Sequence, residues 1–273
     1  MKLITLGTGS PLPDPNRAGP STLVRTPSGD FLFDCGRGVL MRSAAVGAGP
    51  LSFHTVLLTH LHSDHITDFN DVVTMRWAMS ATERPLRVVG PTGTARMVRR
   101  TLAMLEDDIG YRLAHHDDLN WSPSCEVEEV SDGVVFDDGT TSITAVPTDH
   151  APVSPTIGYR LRCQGRSIVV AGDTVPCKGL DRLAAGADVY VQTVVHRALV
   201  EAIPAPRLQD ILDYHSSIAD AATTAVRAGV STLVLTHLVP PPAPGSEDAW
   251  ADEARAIFDG EIVVATDLWE RDL

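Results

Sequence analysis

Seven short runs dominate the chain: KLITLG (2–7), FLFDCG (31–36), TVLLTH (55–60), TSITAVPT (141–148), RSIVVAGD (166–173), DVYVQTVV (188–195) and STLVLTH (231–237). Each is rich in β-branched or other apolar residues and bounded by Gly, Asp, Ser or Pro, which predicts strands. Between them, TGTARMVRRTLAML (92–105), SIADAATTAVRAG (217–229) and SEDAWADEARAIF (246–258) carry apolar residues at helical spacing. The second is the best marked: Ser217 is placed as N-cap, Asp220 completes a capping box and Gly229 supplies a left-handed stop.

Strand-like and helix-like segments alternate from end to end, so the fold class is α/β. No repeat, low-complexity tract or linker divides residues 1–273, which read as one domain with 44% hydrophobic residues to fill its core. Two sheets with helices outside each, or one doubly wound sheet, both satisfy this pattern.

The ends of the apolar runs are chemically unusual. Directly after TVLL comes His60-x-His62-x-Asp64-His65, four potential metal ligands within six positions on a rigid support. Imidazole and carboxylate together suit zinc, with manganese or iron as alternatives, whereas calcium or magnesium would call for an all-oxygen set. Three further polar residues close β-like runs: His150, Asp173 and His237. Sheet ends converge, and seven such ligands suit two metals sharing a carboxylate and a water, an arrangement suited to hydrolysis.

In their order and company these motifs resemble the metallo-β-lactamase superfamily. Within it the stretches LGTGSPLPDPNRAGPSTLV, FLFDCGRG, THLHSDH, PTIGYRL, AGDTVPC, YHSSIADAA and LVLTHL are similar to the ribonuclease Z and arylsulfatase-like branch. The resemblance covers nearly the whole chain and implies a four-layer αβ/βα sandwich with two zinc ions at its edge. It implies that His60, His62 and His150 bind one metal, that Asp64, His65 and His237 bind the other, and that Asp173 bridges them. A hydroxide between two cations would be the nucleophile, oriented or deprotonated by Asp64. His215, just before the predicted N-cap, matches the branch's histidine that stabilises the transition state or protonates the leaving group. Asp34 reads either as a partner that fixes the tautomer of a ligand histidine or as a turn former ahead of Gly36.

Two departures bear on the substrate. The branch's acidic residue after the bridging aspartate is replaced in YVQTVVH by Gln192 or Thr193, and the segment from His150 to Asp173 has room for a hairpin but not for a long tRNA-binding arm. A formal charge of −13 also disfavours RNA. RMVRR (96–100) reads as a solvated helix face rather than a site for an anion, and His115 and His116, in the acidic stretch HHDDLN, as surface residues. Phe69, Trp77 and Tyr159 lie near the site motifs, but core packing is the commoner fate of aromatic residues.

The expected function is therefore a dinuclear zinc hydrolase acting on a small phosphodiester. An arylsulfatase, a tRNA 3′-processing endoribonuclease lacking the usual arm, and a non-catalytic metal scaffold are the alternatives. Expected partners are a small anionic ester and, from the resemblance, a second copy in a homodimer, with no membrane. Scattered Cys35, Cys125, Cys163 and Cys177 and the lack of a signal-like start fit reduced thiols in the cytoplasm.

Overall fold

The computed structural model describes residues 1–243 and 245–273. One sheet contains β1 (Lys2–Gly7), β2 (Ser21–Thr26), β3 (Gly29–Phe33), β4 (Phe53–Leu57), β5 (Leu86–Gly90) and β6 (Cys125–Glu129), with β14 (Trp269–Asp272) beside β1. The other contains β7 (Gly133–Asp137), β8 (Thr141–Pro147), β9 (Ile157–Cys163), β10 (Arg166–Val170), β11 (Val189–Val195), β12 (Thr232–Val239) and β13 (Glu261–Val264). The strand orders are β14-β1-β2-β3-β4-β5-β6 and β13-β12-β11-β10-β9-β8-β7. Both sheets follow one plan: three antiparallel pairings, then three parallel ones that begin at β3 and at β10.

The helices are α1 (Val39–Ala45), α2 (Ser63–Ile66), α3 (Phe69–Met79), α4 (Thr94–Met104), α5 (Glu106–His115), α6 (Lys178–Ala184), α7 (Arg197–Glu201), α8 (Pro206–Gln209), α9 (Ile218–Ala228) and α10 (Glu247–Arg255). Side chains alternate across each strand, and here both faces are apolar. In β3, Phe31 and Phe33 enter the core between the sheets while Leu32 packs outward with Val39 of α1 and Val72 of α3. In β10, Ile168 and Val170 meet that central core while Val169 packs with Leu183 of α6 and Ala221 of α9. Each fully buried side chain of this size contributes roughly 1.5–3 kcal/mol. The result is the four-layer αβ/βα sandwich, and the doubly wound alternative is excluded.

Several local expectations need correction. His115 closes α5, ahead of the rest of the acidic stretch HHDDLN, and both His115 and His116 are exposed as expected. His237 does not end its strand: β12 continues to Val239, and His237 adopts φ +49° inside it. FLFDCG leaves strand geometry at Asp34, where φ is +60°. The capping box of α9 forms as read, with Ser217 Oγ accepting from Asp220 N–H and Asp220 accepting from Ser217 N–H. The loop after His237 is described apart from Pro244, which lies outside the described residues.

Candidate metal centre

The ligand-rich loop follows β4, Asp173 follows β10, His150 follows β8 and His237 projects from β12. The two sheets thus deliver their side chains to one edge, beyond the carboxyl ends of their parallel strands. Close approach of the halves requires Gly172, whose φ is +69° and where a Cβ would lie 2.7 Å from Thr59 Cβ.

One carboxylate oxygen sits at the centre. Asp173 Oδ2 lies 3.7 Å from His60 Nε2, 3.4 Å from His65 Nε2, 3.8 Å from His150 Nε2, 3.3 Å from His215 Nε2 and 3.6 Å from His237 Nε2. Potential ligand atoms of His60, His62, His150 and Asp173 lie within 4.8 Å of one another, as do those of Asp64, His65 and His237. All seven residues named as ligands therefore lie together, grouped as His60, His62, His150 and Asp173 and as Asp64, His65 and His237.

The surrounding hydrogen bonds set the tautomers. Asp34 Oδ2 accepts from the Thr59 hydroxyl and from His65 Nδ1, both at 2.8 Å, while Asp34 Oδ1 accepts from Thr59 N–H. Because the Thr59 hydroxyl proton goes to Asp34, its oxygen accepts from His60 Nδ1 at 3.0 Å. His150 Nδ1 donates to the Tyr214 carbonyl at 2.7 Å. On neutral rings these bonds leave the Nε2 lone pairs of His60, His65 and His150 facing inward, 3.1 and 3.3 Å from His62 Nδ1 in the cases of His60 and His150.

Burial pushes His60 well below the usual imidazole range and His150 down to about 4, and it lowers His62 as well. Burial is the largest single influence on His65 and His237 and acts to lower both, but Asp173 together with Asp34 at His65 and with Asp64 at His237 outweighs it, and both rise. Burial opposes the charge on Asp173, yet the positive field of His237 and His65 and the bond from His215 hold its carboxyl well below the normal value. Buried carboxylates thus favour positive charge beside lone pairs that can coordinate it. His65 Nε2, His237 Nδ1 and Asp173 Oδ1 are buried without a hydrogen-bond partner. This donor set fits divalent metal.

Beside the cluster is a cleft of ≈ 200 Å³ walled by Leu12, Ile203, Leu208, Ile211 and Val239 and open to His62, Asp64 and His215. Leu12, Ile203, Leu208 and Ile211 carried no recognisable signal, since they come from distant segments. His215 is buried at 8% exposure, not a solvent-facing cap; its Nδ1 donates to the Ile211 carbonyl at 2.9 Å, so Nε2 is the atom presented to the cluster. Tyr159 donates to the Leu58 carbonyl, Trp77 donates to the Trp121 carbonyl and Phe69 packs outside the first sheet, so these aromatics serve the core.

Residues 30–238 match the family model described as the β-lactamase superfamily domain. The chain belongs to that superfamily. Within it the chain falls in the ribonuclease Z branch: it is 56% identical to a ribonuclease Z of Mycobacterium avium over 270 residues, covering 98% of this chain and 96% of the relative. A ribonuclease Z of Mycolicibacterium gilvum is 55% identical over 98% of this chain and 94% of its own length. Among solved structures, a metallo-β-lactamase fold protein from Bacillus subtilis matches with a TM-score of 0.76 at 20% identity, covering 99% and 98% of the two chains. The short form of human tRNase Z matches with a TM-score of 0.74 at 22% identity, covering 100% of this chain and 99% of its own.

These findings recast both departures. With 96% of the M. avium protein matched, that superfamily member has no room for a long additional arm either, so the short 150–173 segment does not separate this chain from ribonuclease Z. Gln192 does not replace an acidic support for His215: it is fully buried and bonded to Tyr190 Oη and the Thr193 carbonyl. The Ile211 carbonyl provides the acceptor for His215 instead. Among the described residues, no helix is long and apolar enough to cross a membrane.

Proposed function

We propose that residues 1–273 form one hydrolase domain that cleaves a phosphodiester of precursor tRNA on the 3′ side, as a ribonuclease Z. The observation that carries the reading is the convergence of five imidazole Nε2 atoms on Asp173 Oδ2, in a chain similar over nearly its full length to proteins of that name. It reverses the preference for a small phosphodiester. That preference rested on the net charge, the short segment and the altered YVQTVVH stretch, and the near-complete coverage of the M. avium relative weighs against reading the short segment as a difference.

In this reading His60, His62 and His150 would hold one zinc ion and Asp64, His65 and His237 the second, with Asp173 available to both and manganese or iron as substitutes. Such a pair supplies Lewis acidity and, by lowering the pKa of water, a nucleophile at neutral pH. Asp64 Oδ2, 3.1 Å from His237 Nε2, orients that nucleophile or takes its proton. His215 Nε2 gives a proton to the leaving oxygen or stabilises charge on the phosphoryl group. The apolar cleft excludes water beside both groups. The four free cysteines support a reducing, cytoplasmic setting.

The test compares precursor tRNA, bis(p-nitrophenyl) phosphate and p-nitrophenyl sulfate with one zinc-loaded preparation. Precursor tRNA is expected to be cut, and His215→Ala to lower kcat by about 10²–10⁴ with little change in RNA affinity. Hydrolysis of the sulfate ester alone would instead assign an arylsulfatase. Full metal loading without turnover of any substrate would assign a scaffold.

A further inference from the structure

We propose that the outer face of α4 binds the phosphate backbone of the RNA substrate through Arg96, Arg99 and Arg100, an inference that rests on the ribonuclease Z reading. All three are exposed, and among the described residues none has a carboxylate within 4.0 Å. Elsewhere the surface arginines are largely compensated, for example Arg87 by Glu128, Arg166 by Asp188 and Arg227 by Asp181. A chain of net charge −13 repels a polyanion unless it concentrates positive charge locally, and α4 does so with three arginines in five residues.

The place of α4 in the fold links this charge to the site. Arg96 and Arg100, one helical turn apart, line a groove of ≈ 410 Å³ whose floor includes Leu61 and Ile66. Leu61 stands between His60 and His62, and Ile66 follows His65, so the groove is built on the back of the ligand loop. Contact is direct at Gly93, where a Cβ would come within 3.0 Å of Leu61 Cδ1. Glu129 Oε1 accepts from Gly93 N–H and Ala95 N–H, each at 2.9 Å, which fixes the start of α4 and already satisfies those amides. The arginine side chains, not the helix terminus, therefore supply the charge.

Arginine side chains on one exposed helix face suit phosphates of a duplex: they position RNA without reading its sequence. A strand held there would pass the ligand loop, bringing its end to the metal centre. The same face would account for RNA binding without an arm and would give the solvated arginines of RMVRR, exposed as expected, a second role.

The experiment measures precursor-tRNA affinity by fluorescence anisotropy between 50 and 200 mM salt, with turnover of bis(p-nitrophenyl) phosphate alongside. The triple variant R96Q/R99Q/R100Q is expected to bind more weakly and to lose about two to three from the slope of log affinity against log salt, while the small diester is turned over as by wild type. R96K/R99K/R100K should retain most of the slope, since charge is the requirement. An unchanged affinity and slope in the glutamine variant would overturn the proposal even if wild type cuts precursor tRNA. Equal loss on the small diester would also overturn it, by revealing a structural role. If wild type binds tRNA with an arginine-dependent slope yet does not cut it, the surface stands and the ribonuclease reading falls.

Discussion

Asp34→Asn tests the tautomer argument at a single atom. Asparagine tolerates the left-handed backbone at this position, so the substitution acts on hydrogen bonds and not on the turn. Its carbonyl can still accept from Thr59 N–H, but its NH2 then faces the Thr59 hydroxyl and His65 Nδ1, two groups that donate to Asp34 in the native protein. His65 can relieve the clash by moving its proton to Nε2, which removes the inward lone pair from the second ligand set. Loss of a buried partner of this kind typically lowers metal affinity or activity 10–100-fold, equivalent to about 1.4–2.7 kcal/mol. Competition against a chromogenic chelator should show weaker metal binding, and diester turnover should recover with excess metal. Wild-type affinity and turnover in Asp34→Asn would refute the claim that Asp34 sets the His65 tautomer.

Other substitutions separate structure from chemistry. Asp64→Ala should reduce kcat more than it raises KM for the diester, with metal content measured in parallel, because Asp64 faces both His237 and the cleft. Gln192→Glu should not increase turnover, since residue 192 is not a partner of His215; it should destabilise the fold by more than about 2 kcal/mol in urea unfolding by placing a carboxylate beside the Thr193 carbonyl. Ser217→Ala should cost about 1 kcal/mol, read in the same assay, because it removes the acceptor for Asp220 N–H at the start of α9.

The converging residues were legible because four potential ligands within six positions, joined by three polar residues at or near the ends of apolar runs, have few structural uses. Asp34 was legible for the same reason, but its partner His65 required the fold. The supports of His150 and His215 left no mark at all: both are backbone carbonyls, of Tyr214 and Ile211, which any residue can provide. Strand β6, CEVEE, was hidden because three of its five residues are acids and it is recruited by register with β5. Substrate preference was the least legible part, because net charge sums over the surface, whereas a substrate meets only the part it touches.

The shared plan of the two sheets has a consequence for assembly. His60, His62, Asp64 and His65 come from the half of the chain that builds β1 to β6, whereas His150, Asp173 and His237 come from the half that builds β7 to β13. Neither half owns a complete proposed coordination set, so a cation bound there would be a rivet through the seam between them. Binding only to the joined form, it would add about 2.7 kcal/mol at 100 times its Kd. Chelation should therefore loosen the seam as well as silence the chemistry, and two separately expressed halves should find each other more readily when zinc is supplied.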